Sequence, residues 1–177
     1  MTGIHKKKKR RFSVWPWLIV AAVLFLTIGS WLLRPHSPDA ESLKTELQMI
    51  VVDQIGKKSN MNKERVNDIS ASRGFDGWNV ELALNADKGF TMISTRQQMW
   101  QHAITILELI SKTNQLDDIS ISWIYPVKNN QNDVEDKSVM SFSLDKATRD
   151  QLIWANLDPS ILPNMTLDYL EHPVLNN

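Results

Sequence analysis

The chain has 177 residues with 20 basic and 20 acidic side chains, so its formal net charge is zero, and it contains no cysteine. The missing thiols exclude disulfides, thiolate catalysis and cysteine-ligated zinc or iron–sulfur centres. The zero charge conceals a division. All six charges in the first 11 residues are positive (Lys6, Lys7, Lys8, Lys9, Arg10 and Arg11), Arg34 is a seventh cation, and no acid precedes Asp39. Residues 35–177 carry 13 basic against 20 acidic groups, a net −7 set against +7 at the front. Such asymmetry points to a membrane or polyanion near the basic end.

From Trp15 to Leu33 the chain runs WPWLIVAAVLFLTIGSWLL, 19 residues without a charge. As a helix this stretch would span roughly 28 Å, the hydrocarbon thickness of a bilayer. Pro16 falls in the first turn, where a missing N–H costs nothing. Trp15 and Trp17 at one end and Trp31 at the other suit the headgroup boundary. The expectation is a single transmembrane signal anchor over residues 15–33, with residues 1–14 a cytoplasmic basic tail, 34–37 a linker and 38–177 an extracytoplasmic domain. A cleaved secretory signal is the competing reading, but the apolar run continues into Trp31, Leu32 and Leu33, and Arg34, Pro35, His36 and Pro38 make a poor cleavage site. The lysine run reads as a topology determinant that also contacts anionic lipid, rather than as a nucleic-acid patch. A cytoplasmic tail of roughly 14 residues is too short to fold. Biochemical work therefore belongs outside, or to contacts of the membrane helix.

The outer part opens on Ser37-Pro38, an N-cap and first-turn proline followed by Asp39 and Glu41. Leu43, Leu47, Ile50, Val51 and Ile55 recur at helical spacing up to Gly56, although the β-branched run Ile50 to Val52 also fits a strand. GKKSNMNK (56–63) is a surface loop. Residues 65–72 and 78–85 read as two strands joined by RGFDG, with Val80, Leu82 and Leu84 alternating against polar neighbours. Thr91 to Lys112 predicts a long amphipathic helix whose stripe is Ile93, Met99, Trp100, Ala103, Ile104, Ile106, Leu107 and Ile110.

Alternation returns over Asp117–Pro126 and Lys137–Asp145. Ile119, Ile121, Trp123 and Tyr125 share one face of the first strand, and Met140, Phe142 and Leu144 one face of the second. Ser120, Ser122, Ser141 and Ser143 lie opposite, and KNNQNDVED forms a polar hairpin loop between the strands. Asp145 caps a final helix running to about Asn156, broken by Asp158-Pro159. The C-terminus wraps the surface, with a turn of helix around Leu167 to Leu170. The predicted fold is thus a single N-terminal transmembrane helix followed by a small α+β domain, in the order α-ββ-α-ββ-α, with a mostly antiparallel sheet and helices on one face. The two αββ units show no residue-level self-similarity.

The candidate chemistry is sparse. His5, His36, His102 and His172 form no metal-ligand spacing, and His102 reads as a helix-surface histidine. No glycine-rich phosphate loop and no GxSxG motif occurs, so no enzyme activity and no cofactor are expected. Asn129 to Asp136 gathers oxygen atoms of the kind calcium takes, with Asp133, Glu135 and Asp136 as candidate ligands and Asp117 and Asp118 placed nearby. The loop lacks the EF-hand spacing, and polar hairpin tips commonly look this way. Trp78, Trp100, Trp123 and Trp154 suit a shared core better than an aromatic groove. The serine face is either solvated or covered, which makes Ser120, Ser122, Ser141 and Ser143 a candidate partner face.

The expected function is a non-catalytic, single-pass, membrane-anchored binding or scaffolding module of a bacterial cell envelope, part of a membrane protein assembly. Its partners would be the lipid bilayer and another envelope or membrane protein, not nucleic acid, and the −7 domain favours a basic counterpart. The alternative is an outer-surface ligand- or ion-sensing domain, or a hydrolase without a recognisable motif, working through the carboxylates named above.

Overall fold

A computed structural model describes residues 39–113 and 115–176. The membrane-anchor residues Lys6 to Arg11, Trp15, Trp17 and Trp31 lie outside the described residues, and no helix among the described residues is long and apolar enough to cross a membrane.

Helix α1 spans Ala40–Ile55. Its N-cap is Asp39, whose carboxylate accepts from the Ser42 amide at 2.8 Å, so the helix starts two residues later than Ser37-Pro38 suggested. Gly56, with φ 83°, ends it. Leu43, Leu47 and Val51 are buried at four-residue spacing, which decides Ile50–Val52 for helix over strand. Strands β1 (Val66–Arg73) and β2 (Trp78–Asn85) form a hairpin closed by the Gly74 N–H on the Gly77 carbonyl. A Cβ on Gly77 would lie 2.5 Å from the Gln115 carbonyl oxygen, so this turn admits no larger residue without moving the backbone that leads into the next strand.

Helix α2 (Met92–Ile110) begins at a reciprocal capping box between Thr91 and Ser94. The predicted stripe holds from Met99 onward, while Ile93 is exposed and Thr95 takes the buried place in the first turn. Strands β3 (Leu116–Lys128) and β4 (Val134–Leu144) extend further than the alternation marked, shortening the hairpin loop to 129–133. The side-chain carbonyl of Asn129 accepts from the amides of Gln131 and Asp133, and Asn132 adopts φ 65°, so a tight turn closes where composition alone read as a longer loop.

Two C-terminal expectations are corrected. Helix α3 covers Lys146–Gln151 and stops well before Asn156. Asp145 caps it as predicted, but Leu152 turns extended, and Leu152, Trp154 and Leu157 pack against the core from irregular backbone. A 3-10 turn (Pro159–Ile161) and the short α4 (Leu162–Met165) follow. Leu167–Glu171 is then a strand, β5, rather than a helical turn, because it finds hydrogen-bonding partners on β4, with Leu170 opposite Ser141 and Leu167 opposite Ser143. No local pattern announces such a short edge strand. A last 3-10 turn spans Pro173–Asn176.

The domain is α+β, with a five-stranded mixed sheet in the order β1-β2-β3-β4-β5. Pairings are antiparallel except β2–β3, which the α2 crossover makes parallel. The core joins Leu43, Leu47 and Val51 of α1 and Met99, Ala103, Ile106, Leu107 and Ile110 of α2 to Val80, Leu82, Leu84, Ile119, Ile121, Trp123, Phe142 and Leu144 of the sheet.

Candidate functional site

Strand pleating places alternate residues on opposite faces. The helix-covered face takes the aliphatic and aromatic set, and the other face takes the four serines together. Ser120 pairs with Ser143 and Ser122 with Ser141 across the β3–β4 ladder, and the Ser120 and Ser143 hydroxyls lie 2.8 Å apart. All four are half-buried. Around them Asp68, Glu81, Ala83, Asp168 and Leu170 complete a shallow hollow of about 250 Å³. Its three carboxylates have no lysine or arginine among the lining residues, and none forms an ion pair among the described residues. Leu170 is 68% exposed and Asp168 stands at φ 51°, where the short β5 bends at the edge of the hollow.

Two of the three calcium candidates are otherwise engaged. Asp136 pairs with Lys63, and Glu135 accepts from Asn129 at 2.8 Å and pairs with Lys137 at 3.2 Å. Those donors hold the Glu135 carboxyl below the usual range, the Asn129 hydrogen bond first. Asp117 and Asp118 lie at the start of β3, whereas Glu135 and Asp136 lie on β4 opposite Val127 and Pro126 near its far end and Asp133 lies in the loop between the strands, so the structure separates the two carboxylate groups. Among the described residues no three potential ligands gather to hold a metal ion.

The tryptophans divide between the core and its margin. Trp123 and Trp78 are buried, while Trp100 and Trp154 pack against the core half-covered. Trp100 Nε1 donates to the Tyr169 hydroxyl at 3.0 Å, and that hydroxyl donates to Glu171 at 2.7 Å. Arg96 donates to Glu171 and to Asn176 and lies over the Trp100 ring. Burial, reinforced by the Glu171 carboxylate, pushes the Tyr169 hydroxyl far above its ordinary value. This network ties β5 and the C-terminal turn to α2.

A second polar cluster has no forerunner in the sequence pattern. Arg65 is 2% exposed; its guanidinium donates to the Asn85 carbonyl at 2.8 Å, to the Lys58 carbonyl at 3.1 Å and to both Asp87 oxygens at 3.0 and 2.9 Å. His102 on α2 sits 3.9 Å from Asp87 and 6.1 Å, centroid to centroid, from the Trp123 ring. It is half-buried rather than on the surface. Burial lowers its pKa, Asp87 works against that and Arg65 with it. The three residues come from just before β1, just after β2 and the middle of α2, so only the folded topology brings them together. At the opposite end of the sheet Arg149, also 2% exposed, donates to the carbonyls of Leu116 and Asp117, and burial lowers its pKa against the pull of Asp150 and neighbouring acids. Both arginines satisfy carbonyl groups at strand ends, which is structural work.

No family model, no curated protein and no solved structure matches the chain.

Proposed function

We propose that residues 38–177 form a non-catalytic extracytoplasmic binding module, held at a bacterial cell envelope by the N-terminal anchor, and that a protein partner docks on the serine face of the sheet. The observation that supports this reading most is the asymmetry of the sheet. One face is sealed by α1 and α2, while the other presents Ser120, Ser122, Ser141 and Ser143 within a carboxylate rim. Side chains this small let a partner's backbone approach closely, and the rim favours a partner with lysine or arginine at the contact. The sequence of the first 34 residues supports the anchor and its orientation.

The test uses the full chain in its membrane. A photo-crosslinking residue at Ser122 should trap one envelope protein that the same residue at the exposed Gln101 of α2 does not trap. Identical products from both positions would remove the serine face from the proposal. A reporter fused to the C-terminus and found inside the cell would remove the extracytoplasmic assignment as well.

A further inference from the structure

β1 ends the sheet. Seven of its eight residues pair with β2, the irregularity at Asn67 excepted, and no backbone hydrogen bond joins its outer side to another described segment. A long edge with unmatched N–H and C=O groups is a template for a further strand. The other edge suits this poorly. β5 has five residues, its pairing is irregular between Ser141 and Ser143, and Asp168 leaves the extended region at φ 51°.

The sequence of β1 restricts what can pair with it. A second copy related by a two-fold axis perpendicular to the sheet keeps each face continuous, so Asp68, Ser70 and Ser72 must oppose one another and not Ile69 or Ala71. With the axis on Ser70, that residue meets itself, Asp68 meets Ser72, and Ile69 meets Ala71. No like charges face each other, and the apolar pair falls on the helix-covered side. Neighbouring registers are worse. An axis on Asp68 sets carboxylate against carboxylate, an axis on Ala71 sets Ile69 against the Arg73 cation, and an axis on Ile69 runs the pairing into the irregularity at Asn67.

Beside this edge lies a groove of about 480 Å³ where Thr45, Gln48, Met49 and Val52 of α1 face Glu64 and Val66. Met49 is 56% exposed. The same axis carries the second copy's α1 to the same side of the joined sheet and sets this groove, at the Val66 end of β1, against the turn that follows Arg73 in the second copy, adding area to an interface that strand pairing alone would leave below the roughly 1,000 Å² of a stable one. We propose that the chain self-associates through an isologous, antiparallel β1–β1 pair centred on Ser70. The pairing leaves the serine face of each copy free, and it stands or falls independently of the partner proposed for that face.

The absence of native cysteine makes the test clean. Side chains directly opposed on antiparallel strands have Cβ atoms about 4.5–5.5 Å apart, near disulfide reach. In membranes carrying the full chain, Ser70→Cys should oxidise to a covalent dimer at least about tenfold faster than Asn130→Cys at the exposed hairpin tip, because a held pair has a far higher effective concentration than a colliding one. Asp68→Cys and Ser72→Cys should each crosslink slowly alone and readily when co-expressed, which reads the register even if Ser70→Cys folds poorly. Equal rates at positions 70 and 130 would overturn the pairing, as would a single Asp68→Cys variant that crosslinks as fast as the co-expressed pair.

Discussion

On β3, Ile119, Ile121 and Trp123 are at most 1% exposed beneath α1 and α2, while Ser120 and Ser122, one residue away on the same backbone, look out from the face that neither α1 nor α2 covers. The two faces share every strand, twist and ladder hydrogen bond. They differ only in which side chains the period of two delivers to each, and that is enough to make one face a core and the other a surface available for contact. Stability and binding can therefore be changed separately.

The largest expected effect comes from breaking this contrast on its covered side. Trp123→Ala should lower unfolding free energy by about 3–5 kcal/mol in denaturant titrations, through the cavity left by the largest fully buried side chain. Ser122→Ala, its neighbour, should stay within about 0.5 kcal/mol. Comparable losses at the two positions would mean that the open face is part of the core. An intermediate effect is expected at the polar end of the covered face. Asp87→Ala leaves the Arg65 guanidinium buried with only carbonyl partners, and breaking such a pair from one side costs about 3 kcal/mol, less in so far as Asp87 keeps 16% of its side chain in water. Removing both charges with Arg65→Met and Asp87→Leu should recover part of that loss, and a double variant as unstable as the single one would deny that the unpaired charge is the cause.

The smallest effect is a pH dependence. Burial holds His102 below its ordinary 6.5, so the unfolded chain takes up this proton at higher pH than the folded one. The contribution of the neutral imidazole is complete above pH 6.5 and is lost as the pH falls through the window between 6.5 and the folded value. His102→Gln should flatten that part of the thermal-stability profile between about pH 7.5 and 5.5 relative to the parent chain. Parallel profiles would show that Asp87 compensates the burial of His102 fully.

Elements with strong periodicity were legible in advance. The stripe of α2 from Met99 to Ile110, the β1–β2 hairpin around Asp76-Gly77 and the two faces of β3 and β4 follow from spacing alone, because each is fixed by residues close in sequence. Where the reading failed, the deciding partner was distant. Leu167–Glu171 is a strand because β4 offers it an edge, and α3 ends at Gln151 because Trp154 and Leu157 find the core from irregular backbone. His102 looked like a surface histidine because nothing adjacent to it announces Asp87 or Trp123. For the candidate site, the alternation of serines with aliphatic residues already put Ser120, Ser122, Ser141 and Ser143 on a common face. The rim could not be read this way, since Asp68, Glu81 and Asp168 come from three other strands.

By itself, then, the sequence determines the local elements, the division of each strand into a core side and a serine side, and the segregation of +7 from −7 that motivates an anchor, all of which depend on residue order and period. Only the tertiary structure decides the parallel joining of β2 to β3, the burial of Arg65 and Arg149, and which strands are left as edges. These depend on which distant segments meet, and no local period carries that information.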